Sequence, residues 1–280
     1  MDIKHNILKL KNSKLEEIKD SISVEEPLEM RLKYKKNNKW EVENISITMR
    51  TPGNDEDLIK GFLYNERIIT NINDIESIEY QGEVSGDYNL RNIIEATLKK
   101  IDNLDIGKLK RNFITNSSCG ICGKTSLDAI DVIKENKLDL SFPQIDEKII
   151  LLSPKLLMNK QSEFSKTGGI HASALIDLNG NVVAIREDVG RHNALDKLVG
   201  YSISENILNP ENQFIACSGR LNFELVQKGL MANIGVMAGV GAPTSLAIDL
   251  AKRFDMSLLG FVKETSFNIY SNKKRIILSN

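Results

Sequence analysis

Cysteine, histidine and tryptophan are scarce in this chain of 280 residues, at three, three and one. Three cysteines exclude a disulfide scaffold, and reduced thiols are the expectation. Excess charge of one sign is also missing, because 37 basic residues stand against 38 acidic ones. That balance gives no global attraction to nucleic acid or to an anionic membrane, and neither is expected as a partner. No long apolar run exists either: the most apolar stretch, about 230–251, is broken by Asn233, Pro243 and Asp249, which suits buried turns and strands rather than a bilayer span. Met1-Asp2-Ile3-Lys4-His5 opens a charged stretch without the apolar core of a secretory signal, so the expected compartment is the cytoplasm.

What is present is ordinary globular composition, 41% apolar and 27% charged, in a chain long enough for a main domain and a smaller accessory one. Residues 1–26 read as a weakly patterned entry segment. Alternating apolar and polar residues predict two antiparallel strands, Leu28 to Lys35 and Trp40 to Met49, joined at Lys36-Asn37-Asn38. Thr51-Pro52-Gly53-Asn54 predicts a turn whose asparagine caps a helix starting at Asp55-Glu56-Asp57, with Leu58, Ile59, Phe62 and Leu63 facing inward. A strand at Ile75 to Tyr80 and a helix over about Arg91 to Asn103 follow, so that residues 27–115 form an α+β accessory region. Residues 116–126 read as a loop, with a helix near Ser126 to Asn136. Beyond about Ser153, strands and helices alternate through to Val262. The expected fold class is therefore α/β, a layered, partly parallel sheet over 127–280 with helices on both faces and ligand loops at the strand ends.

Two of the three cysteines lie in Cys119-Gly120-Ile121-Cys122-Gly123-Lys124, behind the polar run Asn116-Ser117-Ser118. A thiol reacts as thiolate, and partial exposure, a neighbouring cation and a second thiol all favour that form. The pair suits a redox dithiol, half of a zinc site or a nucleophile carrying a persulfide. Zinc needs about two further ligands, which only Cys217, His5, His171 and His192 could supply among Cys and His. Cys217 ends an apolar run and reads as a small buried hydrophobe.

A second constellation is Thr167-Gly168-Gly169-Ile170-His171 with Arg186-Glu187-Asp188-Val189-Gly190-Arg191-His192-Asn193, followed by Asp196-Lys197. Charge this dense at a strand-to-helix transition suits phosphate, and a capped helix start with a surface salt-bridge cluster is the lesser alternative for the same residues. Ser218-Gly219-Arg220 and Gly239-Val240-Gly241-Ala242-Pro243-Thr244-Ser245 repeat the pattern at two further strand exits. Gly239-Val240-Gly241 lacks the third glycine of a dinucleotide fingerprint.

Taken together these stretches, with Thr51-Pro52-Gly53, Gly61-Phe62-Leu63 and Gly260-Phe261-Val262, closely resemble the FdhD family of formate dehydrogenase accessory sulfurtransferases. The resemblance covers most of the chain after residue 26. It implies a cytidine-deaminase-like fold with an added domain, and a cytoplasmic sulfur carrier. Sulfur would come as persulfide from an IscS-type cysteine desulfurase and pass to the molybdenum cofactor, bis-molybdopterin guanine dinucleotide, bound as a substrate for the formate dehydrogenase catalytic subunit. It implies the persulfide on Cys119, assistance from Cys122, and cofactor contact by Phe261, Val262, Lys263, Glu264, Thr265 and Ser266. His171, Arg186, Arg191, His192 and Arg220 are added from the charge pattern. No tightly bound metal is expected, and a homodimer would help enclose the site. The alternatives are a cofactor-holding chaperone without turnover, and a zinc deaminase. The latter needs a Glu two residues after its His or Cys ligand and a downstream Pro-Cys-X-X-Cys, whereas Ser173 follows His171 at that offset and the cysteine pair lies upstream.

Overall fold

The computed structural model describes residues 1–84, 86, 88–99 and 137–279. The cysteine pair at 119 and 122 and the helix expected near 126–136 lie outside the described residues.

The entry segment is more ordered than its composition suggests. Strands β1 (Asp2–Lys11) and β2 (Lys14–Ser23) form an antiparallel hairpin with Asp2 opposite Ser23. Its charged residues hid the pattern because the hairpin is solvated on most of its surface, leaving Leu8, Leu10 and Leu15 exposed. Strands β3 (Glu26–Lys36) and β4 (Lys39–Arg50) pair antiparallel as expected. Their turn places Asn37 and Asn38 at φ of 50° and 60°, the left-handed pair that a two-residue hairpin connection requires.

Helix α1 (Asp55–Asn65) buries Leu58, Ile59, Phe62 and Leu63. Asn54 does not cap it with its side chain: its backbone is left-handed, at φ 56°, whereas a capping residue is normally extended. Strands β5 (Ile75–Gln81) and β6 (Ile93–Leu98) complete a sheet of order β4-β3-β6-β5. The helix expected from Arg91 is thus a strand where it is described. Ile94, Ala96 and Leu98 alternate into the core, and parallel pairing of β6 with β3 overrides the local helical reading. One face of this sheet and α1 share a core containing Leu28, Met30, Leu32, Ile94 and Leu58.

The second half begins with β7 (Ile145–Asp146) and α2 (Glu147–Lys160), where Asp146 accepts from the Lys148 N–H and starts the helix. After α3 (Ser162–Thr167) come β8 (His171–Asp177), β9 (Val182–Asp188), α4 (Arg191–Ser204), β10 (Gln213–Cys217), α5 (Phe223–Met231), β11 (Val236–Gly239), α6 (Ser245–Arg253), β12 (Ser257–Gly260), β13 (Asn268–Ser271) and β14 (Ile276–Ile277). The main sheet has the order β13-β12-β11-β10-β8-β9. Its β10-β11-β12 centre is parallel and its flanks are antiparallel.

Alternation along these strands sends successive residues to opposite faces. Ile215, Cys217 and Met237 join Leu195, Leu230 and Leu250 from α4, α5 and α6 on one face. Phe214, Ala216 and Val236 join Ile150 and Leu157 of α2 on the other. The fold is mixed α/β, and the main sheet carries helices on both faces. No described helix is long and apolar enough to cross a membrane.

Candidate functional site

Topology brings the predicted loops together. Because β10, β11 and β12 run parallel, their C-terminal ends at Cys217, Gly239 and Gly260 share one sheet edge. Antiparallel pairing brings the start of β8 and the end of β9 to that same edge, with His171 opposite Asp188. Backbone hydrogen bonds then join the loops: Val240 N–H donates to Cys217, Gly241 N–H to Gly219, Phe261 N–H to Gly241 and Val262 N–H to Gly239. Helices α4, α5 and α6 all start here. Of the three, only α5 has a side-chain cap, Asn222 accepting from Leu225 N–H at 3.2 Å. The uncapped starts of α4 and α6 leave amide donors for an anion.

The charged motif divides its residues among several tasks. Asp188, fully buried, pairs with Lys197 at 2.7 Å and accepts from the Thr51 N–H at 3.2 Å and the Gly190 N–H at 2.8 Å. Lys197 donates to the Thr51 carbonyl at 2.8 Å, and Asn193 donates to the Met49 carbonyl at 2.8 Å. Burial pushes the Asp188 carboxyl up, and Lys197 opposes that shift. These groups hold the Thr51-Pro52 turn of the first half against α4, so they are joints between the two sheets. Glu187 accepts from the Glu163 and Phe164 N–H groups, at 3.1 and 3.0 Å, and so caps α3.

Arg186 faces away from the edge. It bonds Asp57 at 2.9 Å, and its guanidinium lies 3.7 Å from the centre of the Tyr201 ring. His192 Nε2 meets Asn222 Oδ1 at 3.1 Å and lies 3.5 Å from Glu224. Burial chiefly lowers its pKa.

His171, Arg191 and Arg220 are brought together. A Cβ on Gly219 would lie 3.1 Å from His171 Nδ1 and 4.0 Å from Arg191 Cδ, so the absence of a side chain there lets the β10 loop pass against the histidine. Burial, then Arg191 and Arg220, hold the His171 pKa below its usual value, with Asp188 opposing. The ring is therefore neutral near pH 7. Arg191 Nε is buried and has no hydrogen-bond partner among the described residues.

The segment after β12 is exposed at Phe261, Lys263, Glu264, Thr265 and Ser266. Val262 is the exception, with a side chain 1% exposed and packed in the core. Only its backbone reaches the loops. Phe261 holds φ 52° although it is not glycine, a conformation that costs energy and is concentrated at ligand sites. Lys263 N–H closes the turn on the Ser266 carbonyl at 2.8 Å.

Cys217 is 3% exposed with its Sγ 3.6 Å from Ser173 Oγ. Burial pushes its thiol up to about 11, which makes it a core residue, as its apolar run predicts. The position that would carry a deaminase proton shuttle is thus a serine, 1% exposed and bonded to a core thiol. Among the described residues no group of three His, Cys, Asp or Glu could hold a metal ion.

Sequence reasoning missed Gln161, between α2 and α3. Its side chain is 5% exposed and its Nε2 has no partner among the described residues. It lines a cavity of about 470 Å³ together with His171 and Ser218. A glutamine in a polar helical stretch carries no signal of this kind, since its burial comes from the packing of α2 and α3 on the sheet edge.

Comparison with known proteins agrees with this layout. The profile of the FdhD/NarQ family matches residues 24–277. The sulfur carrier protein FdhD of Picrophilus torridus is 41% identical over 260 residues, 93% of each chain. That of Saccharolobus solfataricus is 40% identical over 271 residues, 97% of this chain and 96% of the relative. A crystal structure described as a formate dehydrogenase accessory protein, from Desulfotalea psychrophila, superimposes with a TM-score of 0.72 over 99% of each chain at 20% identity, a likeness of fold. The profile match and these full-length identities place the chain in the FdhD/NarQ family.

Proposed function

We propose that this protein is a sulfur carrier for formate dehydrogenase maturation, taking sulfur from a cysteine desulfurase and delivering it to the molybdenum cofactor, bis-molybdopterin guanine dinucleotide. The relatives' name, sulfur carrier protein, and the neighbour's description as a formate dehydrogenase accessory protein support this reading. The observation that carries it is the single sheet edge where His171, Arg191 and Arg220 meet two uncapped helix starts, a setting for a phosphorylated ligand.

In this reading the Cys119 thiolate attacks the outer sulfur of the desulfurase persulfide. The sulfur–sulfur bond of the donor breaks, its cysteine leaves as thiolate, and Cys119 becomes the persulfide. Cys122 assists. Arg191 and Arg220 hold the phosphates, and the exposed segment Phe261 to Ser266 borders the bound cofactor. A homodimer encloses the transfer, in the cytoplasm, and the six-stranded sheet descends from a cytidine-deaminase-like ancestor.

Intact-mass spectrometry after incubation with a cysteine desulfurase and cysteine tests the carrier step. Wild type gains one reductant-labile sulfur, about 32 Da, and Cys119→Ala does not. No gain in wild type would remove the carrier role and leave a chaperone that holds the cofactor.

A further inference from the structure

The hairpin β1–β2 has no core of its own. Its strands pair over their full length, yet Ser21 alone among their residues is buried. Only the base is held, where Ser23 Oγ donates to Thr167 Oγ1 at 2.6 Å and Lys166 lies 3.9 Å from Asp2. A lone two-stranded hairpin is marginal in water and gains stability when a hydrophobic face is covered. Such a face exists near the tip. Leu10 lies opposite Leu15, and Leu8, two residues along, lies opposite Glu17, so all four side chains point to one side. Leu8, Leu10 and Leu15 are 64, 68 and 67% exposed. The match to the FdhD/NarQ family begins at residue 24, so this arm stands outside the family pattern.

A face of complementary character lies on the first sheet. Helix α1 packs on one side of that sheet, and on the other Trp40, Val42, Ile47 and Met49 of β4 are exposed. Strand β4 is also the edge of its sheet, and a long edge with exposed apolar side chains is a ready template for another chain. Lys35 stands opposite Trp40 and Lys33 opposite Val42, with their ammonium groups 4.7 and 5.5 Å from the centre of the Trp40 ring. Lys33 also has Glu95 at 3.9 Å. Lys35 and Glu17 have no ion-pair partner among the described residues.

Both apolar faces stay exposed in a chain that carries the two together, and each holds the charge that the other lacks. We propose that the hairpin is an exchange arm: its leucine face packs on the exposed face of β3 and β4 in a second copy of this chain, and Glu17 pairs with Lys35 of the partner subunit. One arm and one receiving face per copy close a two-fold dimer and leave no free end for further growth. This surface belongs to the homodimer of the reading above and is independent of the sulfur step.

Sedimentation equilibrium of the full chain over a dilution series tests the arm, with thermal unfolding showing that each variant is folded. Wild type is expected to be a dimer. Leu8→Ser, Leu10→Ser and Leu15→Ser combined are expected to raise the dissociation constant about tenfold or more, the loss of apolar anchors at the centre of an interface. Trp40→Ser with Val42→Thr, on the receiving face, is expected to do the same. Glu17→Lys and Lys35→Glu are each expected to weaken the dimer about fivefold and, combined, to restore most of the loss, which a purely structural effect on either strand does not produce. A monomeric wild type overturns the exchange, and so does a dimer that the leucine variants leave unmoved. Charge reversals whose losses simply add remove the Glu17–Lys35 contact. Sulfur gain by wild type alongside any of these failures leaves the carrier reading in place, whereas its absence in a leucine-dependent dimer removes that reading alone.

Discussion

Gly61 of α1 and Gly200 of α4 face each other where the two helices cross. A Cβ on Gly200 would sit 2.6 Å from the Gly61 nitrogen and overlap the Asp57 carbonyl oxygen, and one on Gly61 would overlap the Asp196 carbonyl. The crossing is backbone against backbone, and it joins the first sheet's helix to the helix that opens at Arg191.

Gly61→Ala should therefore push α1 off α4. Overpacking of a close contact typically costs about 1–3 kcal/mol, and the lost burial around Asp196 adds to it. A drop of several degrees in melting temperature is expected; an unchanged melting curve would mean that the crossing relaxes freely.

The pair Asp188–Lys197, at 2.7 Å and at most 1% exposed, is the second joint. Removing one partner of a buried pair strands the other charge and costs about 3–5 kcal/mol. Lys197→Met alone should destabilise by that order in denaturant unfolding, and Lys197→Met with Asp188→Leu should recover part of the loss. Additive losses in the double variant would show that the two side chains are not coupled.

Asp196 supplies a pH signature. Burial raises its pKa to about 6, opposed by Lys228 at 3.0 Å and by Asn65. The unfolded carboxyl titrates near 3.8, so between about pH 4 and 6 the native state binds more protons than the unfolded one. Stability then falls as pH rises through this window. Asp196→Asn removes that component, so the difference in melting temperature between wild type and variant should change with pH from 4 to 6 and level off above it. A constant difference across the window would contradict the assignment.

Cys217, buried with its thiol pushed up to about 11, should resist alkylation by iodoacetamide in the native protein at pH 8, because the thiolate is rare and unreachable. Peptide mapping by mass spectrometry reads this directly. Rapid labelling at Cys217 would place it outside the core.

Arg186→Gln should leave nucleotide and pyrophosphate affinity as in wild type while lowering stability, since the arginine is held by Asp57 and Tyr201. A loss of affinity equal to that of Arg191→Gln would return Arg186 to the ligand.

The sequence carried the parts of this protein that depend on local pattern. Period-two alternation marked β3 and β4, and apolar spacing marked the inner face of α1. Glycine and hydroxyl residues at Ser218-Gly219-Arg220 and after Gly239 marked loop ends, because such turns need small or hydrogen-bonding residues wherever they occur. Cys217 was legible as a core residue from its apolar neighbours. Family membership was legible too, since several separated motifs in fixed order survive without any knowledge of contacts.

Only the tertiary structure decided what the motif charges do. Arg186, Glu187, Asp188 and Arg191 lie within six positions of one another, yet strand pleating and the turn into α4 send them to Asp57, to the start of α3, to Lys197 and to the strand-end edge beside Gly219. Alternation of side chains across a strand separates neighbours in sequence, and packing of α2 and α3 on the sheet gives Gln161 and His171 a shared cavity. The hairpin of residues 2–23 and strand β6 depend on pairing partners that composition does not reveal. Residue type fixes what a side chain can do, and long-range packing fixes what it meets.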